Sequence, residues 1–100
     1  MPYGLSDPDI TKIKSVIEPI TRIKSVIIFG SRAMGTFKPA SDIDLALVGD
    51  IDVPLVARLS GILNDELSLP YMFDVVDYQA ANPDLKALID QFGKPFYTQQ

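Results

Sequence analysis

The chain has no cysteine and no histidine among its 100 residues. Without cysteine there are no disulfides and no thiolate metal sites, and without histidine there is no imidazole chemistry at all. Any general base must therefore be a carboxylate, a lysine or a tyrosine. Also missing is an apolar run near the roughly 20 residues that a bilayer-spanning helix requires. No secretory signal pattern opens the chain, so the cytoplasm is the expected location. Positive charge is scarce: nine Lys and Arg face thirteen Asp and Glu, for a formal net charge of −4 and a pI near 4.5. An acidic balance of this kind argues against a broad nucleic-acid surface. What is present is ordinary for a folded domain, with 47% hydrophobic and 22% charged residues. One hundred residues suits a single domain with one modest core and no separate substrate domain.

The first eight residues read as a flexible arm. Asp7 or Asp9 is positioned to cap a helix whose apolar positions are Ile10, Ile13, Val16 and Ile17, and Pro19 ends that helix near Glu18. The pentapeptide Ile-Lys-Ser-Val-Ile occurs at 13–17 and again at 23–27. The first copy reads as helix and the second as strand, because the second runs into Ile28-Phe29-Gly30. Asp52 is an N-cap with Pro54 in the first turn of a helix, whose stripe is Leu55, Val56, Leu59, Ile62, Leu63 and Leu67. Gly61 inside that stripe predicts a close packing contact. A third strand covers 72–76. Asn82 and Pro83 open a last helix carrying Leu85, Leu88, Ile89 and Phe92, with Gly93 as its stop. Pro95-Phe96-Tyr97 is either an edge strand or a tail packed on the core. The pattern is that of a small α/β (α+β) domain with helices packed on a mixed sheet.

The most informative stretch runs from Phe29-Gly30-Ser31-Arg32 to Ser41-Asp42-Ile43-Asp44-Leu45-Ala46-Leu47-Val48. It reads as the end of a buried strand, a tight Gly-Ser turn, a loop, and a second strand that opens with two acids. Strand side chains alternate, so Asp42 and Asp44 share one face while Ile43, Leu45 and Leu47 share the other. Two neighbouring carboxylates raise each other's proton affinity, and a hard divalent cation removes that conflict. Gly30 allows backbone to approach a ligand, and Ser31 adds a hydroxyl. A phosphate holder beside a metal holder points to phosphoryl or nucleotidyl transfer. The competing view is an Asp-rich strand start after an ordinary turn. The Gly-Ser pair upstream tips the balance toward chemistry.

Gly30-Ser31, ten intervening residues and Asp42-Ile43-Asp44 resemble the signature of the minimal nucleotidyltransferases, small members of the DNA polymerase β superfamily. Arg32-Ala33-Met34-Gly35 and Ser41 match the wording around that signature, and the similarity runs over nearly the whole chain. The resemblance implies the polymerase β-like nucleotidyltransferase fold. It also implies a third acid on a strand beside the Asp-x-Asp strand, in a setting like Asp74-Val75-Val76. An unpaired carboxylate among Phe73, Val75 and Val76 is costly unless it reaches solvent or a partner such as a cation. Asp77 is the rival, three residues on and hence on the opposite face. Asp50 and Asp52 suit a turn and a cap.

What the resemblance implies for activity is Mg²⁺-dependent transfer of AMP from ATP, with Asp42, Asp44 and Asp74 holding two metal ions. Gly30 and Ser31 would meet the β and γ phosphates. Arg32 would balance the leaving pyrophosphate or serve as a surface or strand-capping arginine, and Lys38 is a weaker candidate of the same kind. Minimal nucleotidyltransferases commonly pair with a helical HEPN protein, often as antitoxin and toxin. A hetero-oligomer with transfer to a tyrosine of the toxin is then the expected arrangement. Two alternatives stay open: the catalytic half of a two-subunit small-molecule nucleotidyltransferase, and an antitoxin that inhibits by occlusion with idle acids.

Overall fold

A computed structural model describes residues 1–100. Four helices and four strands follow in the order α1 (Asp7–Ile17), β1 (Ile23–Phe29), α2 (Gly30–Met34), β2 (Ile43–Gly49), α3 (Val53–Gly61), β3 (Phe73–Asp77), α4 (Pro83–Phe92) and β4 (Lys94–Thr98). The strands form one sheet ordered β3-β2-β1-β4. β1 runs antiparallel to β2 and β4, whereas β2 and β3 are parallel. A parallel pair requires a crossover connection, and α3 supplies it. The expected mixed sheet with packed helices is therefore what the chain forms. No helix is long and apolar enough to cross a membrane.

Most of the core lies on one face of this sheet. Fifteen buried residues make one cluster, with Val26 and Ile28 from β1, Ile43, Leu45 and Leu47 from β2, and Phe73 and Val75 from β3. Ile13 and Ile17 of α1, Leu55 and Leu59 of α3, and Leu63 close over them. The alternation read from Ile43, Leu45 and Leu47 is the one observed. Ala46 and Ile89 are also buried but stand outside that cluster. They belong to a smaller contact on the opposite face, where the end of α4 meets β1 and Gly93 approaches the Ile27 side chain. That opposite face is only partly covered, and the acids lie on it.

Several expectations need correction. The first residues are not a loose arm: Pro2–Gly4 form a 3-10 turn and Leu5 is fully buried in the main cluster. One buried leucine, worth about 1.5 to 3 kcal/mol, is enough to hold so short a segment down. The cap of α1 is Ser6, whose hydroxyl accepts from the Asp9 N–H, so Asp7 and Asp9 become first-turn acids that favour the helix dipole. Gly61 has open space around it rather than a close packing contact. It stands instead where α3 gives way to a π-turn from Ile62 to Glu66. The caps at Asp52 and Asn82 are as expected, each accepting from the N–H three residues on, and Pro95–Tyr97 lie within the edge strand β4.

Candidate active site

Three residues line up across the sheet on its less covered face. Phe29 at the end of β1 is the register partner of Asp44 in β2, and Asp44 is the partner of Asp74 in β3. Residues in register on neighbouring strands point to the same side, so the Asp44 and Asp74 carboxylates are neighbours. Asp42 stands two residues before Asp44, at the mouth of β2. Asp42 and Asp74 are exposed and Asp44 is half-buried. Asp44 is thus the middle of the group, with one acid on either side.

The electrostatics follow from that position. Burial, then the charges of Asp74 and Asp42, push the Asp44 carboxyl up from an ordinary 3.8 to about 6. Both causes disfavour a bare carboxylate, and no hydrogen bond compensates. The outer two acids face solvent, and the three do not close into a ready cage of metal ligands. All donors here are carboxylate oxygens, the ligand type hard cations select.

Gly30 explains how Asp44 can sit where it does. The residue opens α2 with φ of +72°, and a Cβ built there would collide with the Asp44 Oδ2 atom. Glycine alone reconciles the left-handed backbone with that approach. Ser31 follows, half-buried, inside a helix of only five residues. A five-residue helix thus stands where the sequence pattern predicts a tight Gly-Ser turn. Gly35 ends it in the left-handed conformation, which explains why it stops so soon.

Arg32 stands elsewhere than expected. It is only 2% exposed, and its guanidinium donates to the carbonyls of Ser41, Pro39 and Tyr3 at 2.8 to 3.2 Å. It also lies over the rings of Phe37 and Tyr71. Its donors are spent on backbone, so the expected contact with a leaving pyrophosphate is replaced by a task within the fold. Lys38 is exposed in the loop that Arg32 holds.

Asp77 accepts from the Gln79 N–H, the turn role foreseen for it. Asp50 and Asp52 both pair with Arg22, far from the three acids in the fold. One residue was missed altogether. Asn64, on the π-turn, donates its amide to the Phe73 carbonyl and accepts from the Phe73 N–H, at 3.0 and 2.7 Å. In the sequence it is the first of three consecutive polar residues, Asn64-Asp65-Glu66, and nothing sets it apart from its solvated neighbours. Two shallow clefts run along β4 and the end of α1, past Glu18, Tyr97 and Gln100. Neither touches the acids, which stand on an open surface.

With this geometry in view, the likeness to known proteins is informative. Residues 11–100 match the family model for polymerase beta nucleotidyltransferases. Protein adenylyltransferase MntA of Haemophilus influenzae is 26% identical over 87 residues, which cover 85% of this chain and 75% of that protein. A Methanocaldococcus jannaschii protein also named as a protein adenylyltransferase is 50% identical over 38 residues, 38% of each chain. That second match spans well under half of the relative. In a crystal structure of a toxin-antitoxin with AMP-PNP, one chain superposes with a TM-score of 0.75 at 26% identity, covering 92% of this chain and 75% of its own.

Proposed function

Because the chain belongs to the polymerase beta nucleotidyltransferase family, we propose that it moves AMP from ATP to an acceptor hydroxyl. The acceptor is a tyrosine of a helical HEPN toxin, and the chain acts as that toxin's antitoxin in the cytoplasm. The names of the two adenylyltransferase relatives and the AMP-PNP complex support this reading. The observation that carries it is Asp44, wedged against Gly30 between two other acids and held far above its ordinary proton affinity.

The chemistry of the donor set suits a divalent cation: three carboxylates share one face of the sheet, the central one is destabilised by burial and by its neighbours, and an ion would draw the three together. Asp42, Asp44 and Asp74 would hold Mg²⁺, in one or two sites. When bound, the metal supplies positive charge for the triphosphate oxygens and for the charge that builds at phosphorus. Gly30 and Ser31 meet the β and γ phosphates through backbone N–H and hydroxyl. Asp74, exposed on the edge strand, faces the incoming hydroxyl and takes up its proton. The acceptor oxygen forms a bond to the α-phosphorus, the bond from that phosphorus to the bridging oxygen breaks, and pyrophosphate departs with the electron pair.

The test is direct. The chain is mixed with Mg²⁺, a co-encoded HEPN protein and ATP labelled at the α-phosphate. The HEPN protein should gain the mass of AMP on a tyrosine, and the D42A/D44A double variant should transfer nothing. Label that persists in the double variant refutes the assignment of the acids. Label found only on a small molecule removes the toxin as acceptor.

A further inference from the structure

We infer that Arg32 and Asn64 are a matched pair of positioning residues that fix the spacing of the acids by clamping the backbone one residue ahead of two of them. The inference rests on the reading of Asp42, Asp44 and Asp74 as a metal-binding group and adds two residues to it. Asp42 and Asp74 flank Asp44, and both are exposed. Neither carboxylate has a hydrogen-bond partner of its own to hold it. Their spacing therefore has to come from the backbone that carries them.

Arg32 acts on the Asp42 side. The segment from Gly35 to Asp42 has no helix or strand, and ordering such a loop costs conformational entropy at every residue. Two guanidinium nitrogens converge on the Ser41 carbonyl, directly before Asp42, at 3.0 and 2.9 Å. The same fork reaches Pro39 and, through its other arm, Tyr3. Tyr3 holds a left-handed φ of 59°, a strained state that persists only where surroundings determine it. The guanidinium lies over the rings of Phe37 and Tyr71, and the Tyr71 hydroxyl donates to Asp9 on α1. Loop, N-terminal turn and first helix thus meet at one buried cation.

Asn64 acts on the Asp74 side. β3 is an edge strand, so Phe73 has no strand neighbour on its outer side. The Asn64 amide occupies both backbone groups of Phe73, as a further strand would. Asn64 is itself held, its amide donating to the carbonyl and hydroxyl oxygens of Ser60. A bond from the Ile43 N–H to the Met72 carbonyl, 2.9 Å, then ties the start of β2 to the start of β3. The two clamps and this tie form a continuous path from Asp42 to Asp74.

The test compares Arg32→Lys and Asn64→Leu with the parent chain. Both substitutions leave the net charge unchanged, so any effect on a cation cannot be a change of field. Lysine is a point charge that cannot reproduce the planar fork. Binding of Mn²⁺ in the presence of ATP is followed by electron paramagnetic resonance on protein shown to be folded by circular dichroism. Supporting groups one step from a metal ligand set affinity by roughly 10- to 100-fold, and a loss of that size is expected in each variant. Ile23→Ala, a core substitution at the end of β1 opposite the acids that lowers the melting temperature, should leave Mn²⁺ affinity unchanged. Unchanged affinity in either folded variant overturns the inference, as does an equal loss in Ile23→Ala. Should the parent chain bind no Mn²⁺ with ATP, the metal-binding reading itself fails, a result distinct from parent binding that the variants leave intact.

Discussion

Replacing Asp44 by Asn should make the protein more stable and inactive. Moving a carboxyl from 3.8 to about 6 means that the fold disfavours its charge. The full linkage value of such a displacement is roughly 3 kcal/mol at neutral pH. Asp44 is only half-buried, and solvent screening reduces that figure to roughly 1 to 2 kcal/mol. Asparagine has the same shape and no charge, and Asp44 makes no hydrogen bond that the change would break. A gain of that size in a chain of this length raises the melting temperature by at least about 4 °C.

The sign with pH separates this cause from a generic one. Asp44 takes up its proton near pH 6 in the folded chain and near 3.8 when unfolded. The native chain therefore holds more of that proton between those values, and its penalty fades as pH falls through 6 toward 4. Urea melts of parent and Asp44→Asn across pH 4 to 7.5 should show curves that differ at the top of the range and converge at the bottom. A variant less stable than the parent at pH 7.5, or a difference independent of pH, would refute the reasoning. Added Mg²⁺ with ATP should raise the melting temperature of the parent by the usual mass-action gain and leave Asp44→Asn where it was.

Gly30→Ala should cost about 1 to 2 kcal/mol for its left-handed backbone, measured by urea melting. Its loss of AMP transfer should be far larger than that, because the new methyl displaces Asp44; retained transfer would show that the close approach is dispensable. Leu5→Ala should destabilise by about 2 to 5 kcal/mol, since the residue is fully buried; a negligible change would restore the picture of a loose arm. Asn82→Ala should lower stability by about 1 kcal/mol through loss of the α4 cap and leave AMP transfer per folded molecule unchanged in a labelled-ATP assay.

The elements with strong local grammar were legible in the sequence. Asp52-Val53-Pro54 and Asn82-Pro83 announced helix starts because a cap and an early proline act within a few residues. Ile43, Leu45 and Leu47 announced a strand face because period two is a local property. Residues whose roles depend on distant partners were not legible. Leu5 looks like any leucine in a polar leader until it meets the cluster built by α1 and the sheet. Arg32 carries a charge that sequence logic sends to a phosphate, yet its partners are carbonyls from 7 to 29 residues away. Asn64 bonds to Phe73, nine residues on and beyond a proline break. In the site, the two acids of Asp42-Ile43-Asp44 could be placed on one face from spacing alone. That Asp74 stands beside Asp44 depends on the β2-β3 register, which no spacing encodes.

That register is where the core and the chemistry meet. Ile43 pairs with Phe73 and Leu45 with Val75, and all four side chains point into the buried cluster. Sliding β3 by one residue would turn Asp74 inward and Phe73 outward, burying a charge and exposing a ring. Either change alone costs several kcal/mol, comparable with much of the stability of a small domain. The hydrophobic residues therefore determine which acid faces which, although none of them touches the site. The charge of Asp44 opposes the fold and is held in place by it. This explains why charge removal at Asp44 should stabilise the chain while a cut in the core pattern at Phe73 should disorder the site.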